Sequence, residues 1–243
     1  VMPSDDIIQN LIGDYFIMFR PRDIVSGDFY WITQRDGLVI VVAADCTGHG
    51  VPGAFMSMMG ISFLNDIVNV EGITQPDEIL NNLRQKIKAT FEKTGRDTQR
   101  QDGMDVAICA IDRSQLQLLF AGAYNPLYII RDGNLIVHKA DKMPVGAYPK
   151  DTEPFSLQRV TLKPNDRLYL FSDGYVSQFG GPDGRKFMAK PFKELLLNTC
   201  KLPMAQQQKQ LEDTIDLWQA AHDQVDDILV IGIEVSSLLP ASR

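Results

Sequence analysis

The sequence predicts one α+β domain in which antiparallel hairpins alternate with pairs of helices. Two Asp-Gly pairs, at 36–37 and 132–133, each separate two apolar runs and match a two-residue β-hairpin turn. No internal repeat or composition break divides the 243 residues, so a single core is expected. Four apolar segments predict helices, at residues 54–70, 76–93, 189–199 and 204–221.

The strands are predicted from short apolar runs between turn residues. A first helix is expected at 4–12 with Ser4 as its N-cap, and a strand at 15–19 follows it. Asp28 begins one strand of the first hairpin and Asp45 ends the other, so the two carboxylates should lie near the same end of a strand pair. Further strands are predicted at 104–111, 115–121, 127–130, 135–138, 167–171 and 228–233.

Composition excludes several classes of function. The net charge of −7, without a basic run, argues against nucleic acid or an anionic membrane as the main partner. Cys46, Cys109 and Cys200 are widely separated, which disfavours a disulfide framework or a thiolate zinc site and fits a reducing cytoplasm. The sequence has neither a signal peptide nor an uninterrupted apolar run of about 18 residues. Since it starts at Val1, we expect a cytoplasmic fragment of a longer protein, compatible with a membrane-anchored sensor.

The stretch around Asp45 has the composition of a binding site. The run 39–44 is β-branched and small, which predicts a strand buried on both faces, and Asp45 follows at its end. Glycines at 48, 50 and 53 come next, and a helix opens near Pro52. Such a loop lets backbone approach an ion or a phosphate closely. Taken alone, Asp45 also fits a turn or a helix cap.

Other aspartates recur beside strands, which strengthens the functional interpretation. Asp28, Asp45, Asp173 and the pair Asp226-Asp227 each adjoin a strand in a separate part of the chain. Gathered without basic partners, these carboxylates would repel one another and raise each other's pKa values, so the cluster would need bound cations. Oxygen ligands suit Mg²⁺ or Mn²⁺, and two such ions can activate a water and neutralise a phosphoryl group.

Five segments have the order and rough spacing of motifs in a known family: Gly27-Asp28-Phe29-Tyr30, Asp45-Cys46-Thr47-Gly48-His49-Gly50, Ala121-Gly122-Ala123-Tyr124-Asn125-Pro126-Leu127, Phe171-Ser172-Asp173-Gly174 and Asp226-Asp227-Ile228. With these segments the sequence resembles the PPM (PP2C-like) metal-dependent serine/threonine phosphatases, most closely their bacterial SpoIIE/RsbU branch. The similarity runs from about 14 to 235 and implies an α-β-β-α sandwich, with two central antiparallel sheets flanked by helix pairs. Residues 1–13 would end an upstream linker helix, 14–236 would form the phosphatase domain and 237–243 a C-terminal tail.

This resemblance implies the metal ligands and two Mn²⁺ or Mg²⁺ ions per site. Asp45 would bridge both ions, and the main-chain carbonyl of Cys46 would bind one of them. Asp173 and Asp226 would hold the other, while Asp28 would bind directly or through water. Asp45 and Asp173 would therefore be the central catalytic aspartates.

The remaining assignments follow the family pattern less closely. Asp227 is a secondary candidate ligand that we rank as a support for Asp226. Eukaryotic relatives carry a proposed general-acid His where this chain has Thr47, so His49 is the nearest candidate acid, although it also suits a loop-shaping role. No Arg matches the eukaryotic phosphate-binding Arg securely. Arg20 and Arg22 are the candidates, and solvated surface is their alternative.

The resemblance implies a protein phosphatase that hydrolyses phosphoserine or phosphothreonine with a metal-activated water and no phosphoenzyme. The expected substrate is a small phosphorylated bacterial regulator of the anti-sigma-factor-antagonist (STAS) type. An upstream sensor region of the same chain would be a second partner, and a homodimer is one way to cover the apolar 54–70 helix. Two alternatives stay open: a catalytically silent PPM-like module that binds phosphoproteins, and a two-metal phosphodiesterase, which the acidic surface disfavours.

Overall fold

The computed structural model describes residues 5–93, 103–148 and 152–238. Two antiparallel sheets lie face to face, with helices on both outer sides. The α+β sandwich expected from the sequence is therefore confirmed. The Ser4 cap, the 94–102 loop and residues 239–243 of the expected tail lie outside the described residues.

The element boundaries agree with most of the predicted ones. The helices are α1 (Asp5–Ile12), α2 (Gly50–Leu64), α3 (Pro76–Lys93), α4 (Gly174–Ser177), α5 (Ala189–Thr199) and α6 (Met204–Gln219). The strands are β1 (Tyr15–Arg20), β2 (Phe29–Arg35), β3 (Leu38–Cys46), β4 (Gly103–Asp112), β5 (Gln117–Ala123), β6 (Leu127–Arg131), β7 (Asn134–His138), β8 (Val145–Gly146), β9 (Gln158–Thr161), β10 (Arg167–Phe171), β11 (Phe179–Gly180), β12 (Arg185–Lys186) and β13 (Ile228–Glu234).

The strand order explains how distant motifs meet. One sheet has the order β1-β13-β10-β6-β7 and the other β2-β3-β4-β5-β9, with β8 paired to β4. Both predicted Asp-Gly turns form hairpins, and Asp36 and Asp132 adopt positive φ as these turns require. Because β10 and β13 are neighbours, segments more than 50 residues apart in sequence end side by side.

Alternation along β3 builds both sides of its sheet. Val39, Val41 and Ala43 pack between the two sheets. Ile40 and Val42 face the opposite way, into the layer below α2 and α3. The run from Val39 to Ala44 is fully buried, which confirms the predicted strand with two buried faces. The intersheet layer ends at Asp45, so that carboxylate is presented where the core stops.

Helix α2 is less covered than its composition predicts. Met56, Gly60 and Leu64 pack toward the sheet, whereas Phe55 and Met58 are 65% and 68% exposed. Helix α2 therefore has more apolar surface than this chain buries. By length and composition alone, residues 50–70 form a helix that could cross a membrane, and 39% of its most apolar window is buried in the domain.

A few short elements were not predicted. Helix α2 continues as a π-helical segment, Asn65–Val70, in which the Glu71 amide donates to the Asp66 carbonyl over 2.8 Å. Strands β8, β11 and β12 have two residues each, too few to show alternation. The one-turn helix α4 begins directly after Asp173, and it turns the chain away from the sheet at that residue.

Candidate active site

Four aspartates line one cavity at the end of the sandwich. The β2–β3 register pairs Phe29 with Ala44, which places Asp28 beside Asp45 as predicted. Asp173 follows β10, and its pairing with β13 brings it toward Asp226. The cavity has a volume of about 340 Å³ and is lined by Asp45, Cys46, Thr47, Gly48, His49, Asp105, Asp173 and Asp226.

Burial and mutual repulsion raise the pKa values of three of these carboxyl groups. Burial, followed by the charges of Asp173 and Asp226, raises the pKa of Asp45 to about 8. Burial and the charge of Asp173 raise the pKa of Asp105 to about 7. Burial is also the main reason why the pKa of Asp226 is raised. A bound cation would lower these pKa values, because it would replace the protons as the positive partner of the carboxylates.

The donor set fits a divalent cation. Among the residues that the structure describes, the cavity lining contains four carboxyl groups and neither Lys nor Arg, so no lysine or arginine balances their negative charge there. Among the described residues, no three His, Cys, Asp or Glu side chains form a preassembled metal centre. Carboxylate and main-chain oxygens are nevertheless the ligands that Mg²⁺ and Mn²⁺ prefer. We conclude that the cavity is chemically suited to such ions.

Close backbone contacts hold the loop that follows Asp45. A Cβ on Gly27 or on Gly53 would overlap the carbonyl oxygen of Gly48, so the three backbones pack together only because residues 27 and 53 are glycines. Ser57 of α2 reaches the Gly27 carbonyl oxygen with a 2.6 Å hydrogen bond, and its hydroxyl lies 3.8 Å from the sulfur of Cys46. Helix α2 is thereby fixed to the loop before β2 and to the candidate ligand strand.

Asp28 lies behind the cavity rather than in its lining. Its side chain is 2% exposed and accepts a hydrogen bond from the hydroxyl of Ser172. That hydroxyl in turn accepts from the Leu229 amide over 3.0 Å, which connects β2 to β13. Burial and the charge of Asp45 raise the pKa of Asp28 well above its ordinary value. This position agrees better with an indirect contribution to metal binding than with direct ligation.

Asp227 holds a loop instead of facing the cavity. One carboxylate oxygen accepts the Arg22 amide at 2.7 Å and the other accepts the Gly27 amide at 2.8 Å. Both oxygens are therefore engaged at the two ends of the segment before β2. A Cβ at Gly174 would also overlap the Asp227 carbonyl oxygen, so glycine at 174 is what lets the chain after Asp173 pack against Asp227. The Asp227 side chain therefore supports the loop before β2, and its main-chain amide donates to the Asp226 carboxylate over 2.9 Å.

The two candidate phosphate-binding arginines stay outside the cavity lining. Arg20 pairs with Asp216 of α6 over 2.6 Å. Arg22 donates to the Val225 carbonyl at 3.1 Å. Lys186 is linked to a cavity aspartate through one serine. Its ammonium lies 3.4 Å from the Ser177 hydroxyl, and that hydroxyl donates to Asp173 over 3.2 Å.

Thr47 and His49 differ in what their side chains contact. The Thr47 hydroxyl lies 3.1 Å from the Gly103 carbonyl oxygen, and the Thr47 amide donates to the same oxygen, so this residue joins the loop to β4. His49 stands between Gly48 and Gly50, both with positive φ, and precedes the first turn of α2. Its Nδ1 lies 3.0 Å from the Asp23 carboxylate. The Thr47 side chain thus joins the loop to β4, whereas His49 places an imidazole ring at the cavity edge.

Comparison with known proteins identifies the fold and family. A family model described as stage II sporulation protein E (SpoIIE) matches residues 35–236. The chain belongs to the SpoIIE family. The SiaA-PP2C domain of Pseudomonas aeruginosa is similar over 95% of this chain and 89% of its own, with a TM-score of 0.84 and 29% sequence identity. A search of curated proteins gives no match.

Two further structures share the SpoIIE-family fold at lower identity. The PP2C phosphatase domain and regulatory-domain fragment of SpoIIE from Bacillus subtilis has a TM-score of 0.71 at 17% identity, with 91% of this chain covered. The RsbU and RsbW domains of a Mycobacterium tuberculosis protein have a TM-score of 0.69 at 17% sequence identity, with 95% of this chain covered. This chain spans 62% of each. The SpoIIE-family chain is thus a PPM-type serine/threonine phosphatase domain.

Asp105 is the cavity residue that the sequence analysis missed. It lies on β4 directly opposite Asp45 in the register, and Asn125 donates to its carbonyl oxygen over 3.1 Å. Asn125 belongs to the 121–127 segment that resembles the SpoIIE branch, so that segment supports the Asp105 strand. An acid inside the otherwise apolar 104–111 run was the available signal, and it could be interpreted only once the strand pairing was known.

Proposed function

We propose that this SpoIIE-family domain hydrolyses phosphoserine or phosphothreonine on a small regulatory protein, using two Mn²⁺ or Mg²⁺ ions. The observation that supports it most is the cavity lined by four carboxylates, of which Asp45, Asp105 and Asp226 are half-buried and Asp173 is exposed, with neither Lys nor Arg among the described lining residues. A site of this charge cannot attract a phosphate by itself. It becomes complementary to a phosphoryl group only after cations are bound.

The candidate ligands divide between the two sheets. Asp45 and the main-chain carbonyl of Cys46 end β3, whereas Asp173 and Asp226 belong to the β10–β13 side of the sandwich. Asp105 adds a carboxylate opposite Asp45. When bound, divalent ions lower the pKa of a water molecule and neutralise phosphoryl charge. Asp45, on which the charges of Asp173, Asp226 and Asp105 act, would hold such ions together with these residues.

The surrounding residues position substrate and limit solvent around this cavity. The glycine loop 48–53 brings backbone amides of the α2 N-terminus to its edge, where an anionic group is favoured. The Asp28–Ser172–Leu229 connection keeps the rear wall closed by hydrogen bonds. His49 offers a ring nitrogen at the rim. Binding, orientation and proton transfer are therefore the contributions of the protein's own groups.

The polarity of the cavity bears on the substrate class. A cavity of about 340 Å³ lined by four carboxylates suits ions and a phosphoryl group better than an apolar ligand. Binding energy for a protein substrate must come from the surface around the cavity. We propose a phosphorylated STAS-type regulator as that substrate, because the sequence resembles the RsbU branch. An upstream sensor region, a cytoplasmic location and homodimer formation are parts of the same proposal.

The decisive experiment compares phosphate release from three substrates. The purified domain should release phosphate from a phosphorylated STAS-domain protein with a far higher kcat/KM than from a phosphopeptide of the same local sequence. It should also hydrolyse p-nitrophenyl phosphate, and chelator should abolish all three activities. Equal values for protein and peptide would contradict the substrate proposal alone. Binding of the phosphoprotein without hydrolysis would indicate a silent module, and hydrolysis of a cyclic nucleotide would indicate a phosphodiesterase.

A further inference from the structure

We propose that Asp23 is a positioning residue that orients His49, and that His49 gives a proton to the leaving oxygen through Nε2. This inference rests on the proposed phosphatase function. Asp23 lies in the loop between β1 and β2, outside the five segments that resemble the family. The two side chains meet over 3.0 Å, from the Asp23 carboxylate to Nδ1 of His49. Because a carboxylate accepts hydrogen bonds, Nδ1 donates its proton to Asp23, and in the imidazolium form that an acid requires, Nε2 carries the second proton, the one given to the leaving oxygen.

Two anchors fix the position of Asp23. Asp227, itself 2% exposed, accepts the backbone amides of Arg22 and Gly27, which flank Asp23 on either side. Asp227, which directly precedes β13, therefore also holds the loop that contains Asp23. At Gly50, a Cβ would lie 3.2 Å from the Asp23 carboxylate, and the φ of +62° favours glycine. The loop and the start of α2 are thus shaped to let Asp23 reach the histidine.

The position of His49 suits contact with a substrate. Its ring lies against the Asp23 carboxylate. His49 itself lines the cavity edge. An ordinary surface ion pair would contribute about 0–1 kcal/mol to stability, and both side chains here are nearly half exposed, at 45% and 49%. Function is therefore a better explanation than stability for this anchored pair.

The reaction balances with one water. The water oxygen forms a bond to phosphorus, and the bond from phosphorus to the seryl oxygen breaks. The seryl oxygen takes the proton from Nε2, which gives a neutral hydroxyl. The attacking water loses a proton to solvent, and solvent reprotonates His49. The products are the dephosphorylated serine and hydrogen phosphate, with no other reactant needed.

The test uses leaving groups that differ in their need for a proton. A seryl alkoxide must be protonated as it leaves, whereas nitrophenolate is stable without protonation. His49→Ala should lower kcat on the phosphoserine protein by about 10²–10⁴. For both His49→Ala and Asp23→Asn, the loss should be at least about tenfold larger on phosphoserine than on p-nitrophenyl phosphate. KM should change little, and Asp23→Glu should recover part of the kcat that Asp23→Asn loses.

The double variant shows whether Asp23 acts through His49. Asp23→Asn combined with His49→Ala should be no slower than His49→Ala alone, because the orienting group has nothing left to orient. Asp213→Asn, which removes an exposed carboxylate paired with Lys209, is the matched control and should leave both kcat values unchanged. Melting temperatures should agree among all variants.

Three outcomes would overturn the proposal. The first is an equal loss on both substrates, and the second is an Asp23→Asn variant with wild-type kcat on phosphoserine. The third is an additive effect in the double variant. In each case an active wild-type enzyme would leave the phosphatase function standing. A wild-type protein inactive on both substrates in Mn²⁺ would instead remove the proposed function and, with it, this role.

Discussion

Asp45 and its neighbours show how single residues make this site depend on charge. Asp45 ends the intersheet layer opposite Asp105, and the charges of Asp173 and Asp226 act on it from the other sheet. Packing alone would favour apolar residues at these positions, because buried like charges cost free energy. Their presence in one cavity means that the native structure gives up some stability for cation binding.

Removing a central carboxylate should abolish catalysis without unfolding the domain. Asp45→Ala and Asp173→Ala should each lower kcat on p-nitrophenyl phosphate at least about a hundredfold, since transition-state charge loses its counter-charge. Steady-state kinetics in saturating Mn²⁺ would measure the loss, with circular dichroism as the folding check. Asp213→Ala on exposed α6 is the control and should retain full activity. Wild-type rates in the two cavity variants would contradict the site assignment.

Asp227 should matter for stability because both its oxygens accept backbone hydrogen bonds. Asp227→Asn keeps one acceptor and sets an amide nitrogen against the second N–H. The change should reduce the free energy of unfolding by about 1–3 kcal/mol. Chemical denaturation would measure it, and a matched Asp213→Asn variant should stay within about 0.5 kcal/mol of wild type. No loss in the Asp227 variant would show that the loop does not depend on it.

At the scale of elements, helix α2 connects the site to an exposed apolar surface. Its first turn adjoins His49, its buried side holds Ser57 against the Gly27 loop, and its outer side exposes Val51, Phe55 and Met58. A movement of about 1 Å along this helix would displace the Asp45 loop, which is enough to weaken a metal position. Whatever covers the outer side is therefore in a position to regulate activity.

Charging that outer side should reveal its role. Phe55→Glu or Met58→Glu should lower activity or shift sedimentation toward a smaller species, because a buried carboxylate opposes association. Both residues are about two-thirds exposed, so the monomer's melting temperature should stay the same. Leu217→Glu places the same change on α6, where Leu217 is 84% exposed, and should alter neither property. Unchanged rate and sedimentation in both α2 variants would mean that this side is ordinary surface.

For the whole molecule, the acid cavity should make stability depend on pH and metal together. The folded chain keeps protons on Asp45 up to pH about 8 and on Asp105 up to about 7, whereas an unfolded aspartate releases its proton near pH 4. The native state binds more protons between these values, so the metal-free protein loses stability as pH rises through them. A cation replaces those protons and should reverse the loss.

Thermal unfolding at two pH values would check this. In chelator the melting temperature should be lower at pH 8 than at pH 5.5, at about 2–4 °C per kcal/mol of lost stability. Added Mn²⁺ should raise the melting temperature more at pH 8 than at pH 5.5, because protons compete with it at low pH. Asp45→Asn should flatten both dependences. An Mn²⁺ shift that is the same at both pH values would contradict the link between carboxylate protonation and metal binding.

Local pattern determined most of the fold and much of the site. The Asp-Gly turns specified hairpins, the unbroken apolar run 39–44 specified a doubly buried strand, and helical spacing located the long helices. These features depend on neighbours in the chain, which a sequence displays directly. The recurrence of Asp28, Asp45, Asp173 and Asp226 beside strands likewise predicted one acidic site, because strand ends on paired sheets meet at an edge.

Tertiary structure decided the features that depend on strand order and on what covers each surface. Asp105 became a cavity residue only through its register with Asp45, and Asp227 an anchor only through amides about 200 residues away. Arg20 pairs with Asp216 and lies outside the cavity lining, whereas Asp23 contacts His49. The apolar residues on the outer side of α2 are also exposed, although their composition predicts burial. Contacts across such sequence separations follow from the packing of whole sheets, which local propensity and periodicity do not encode.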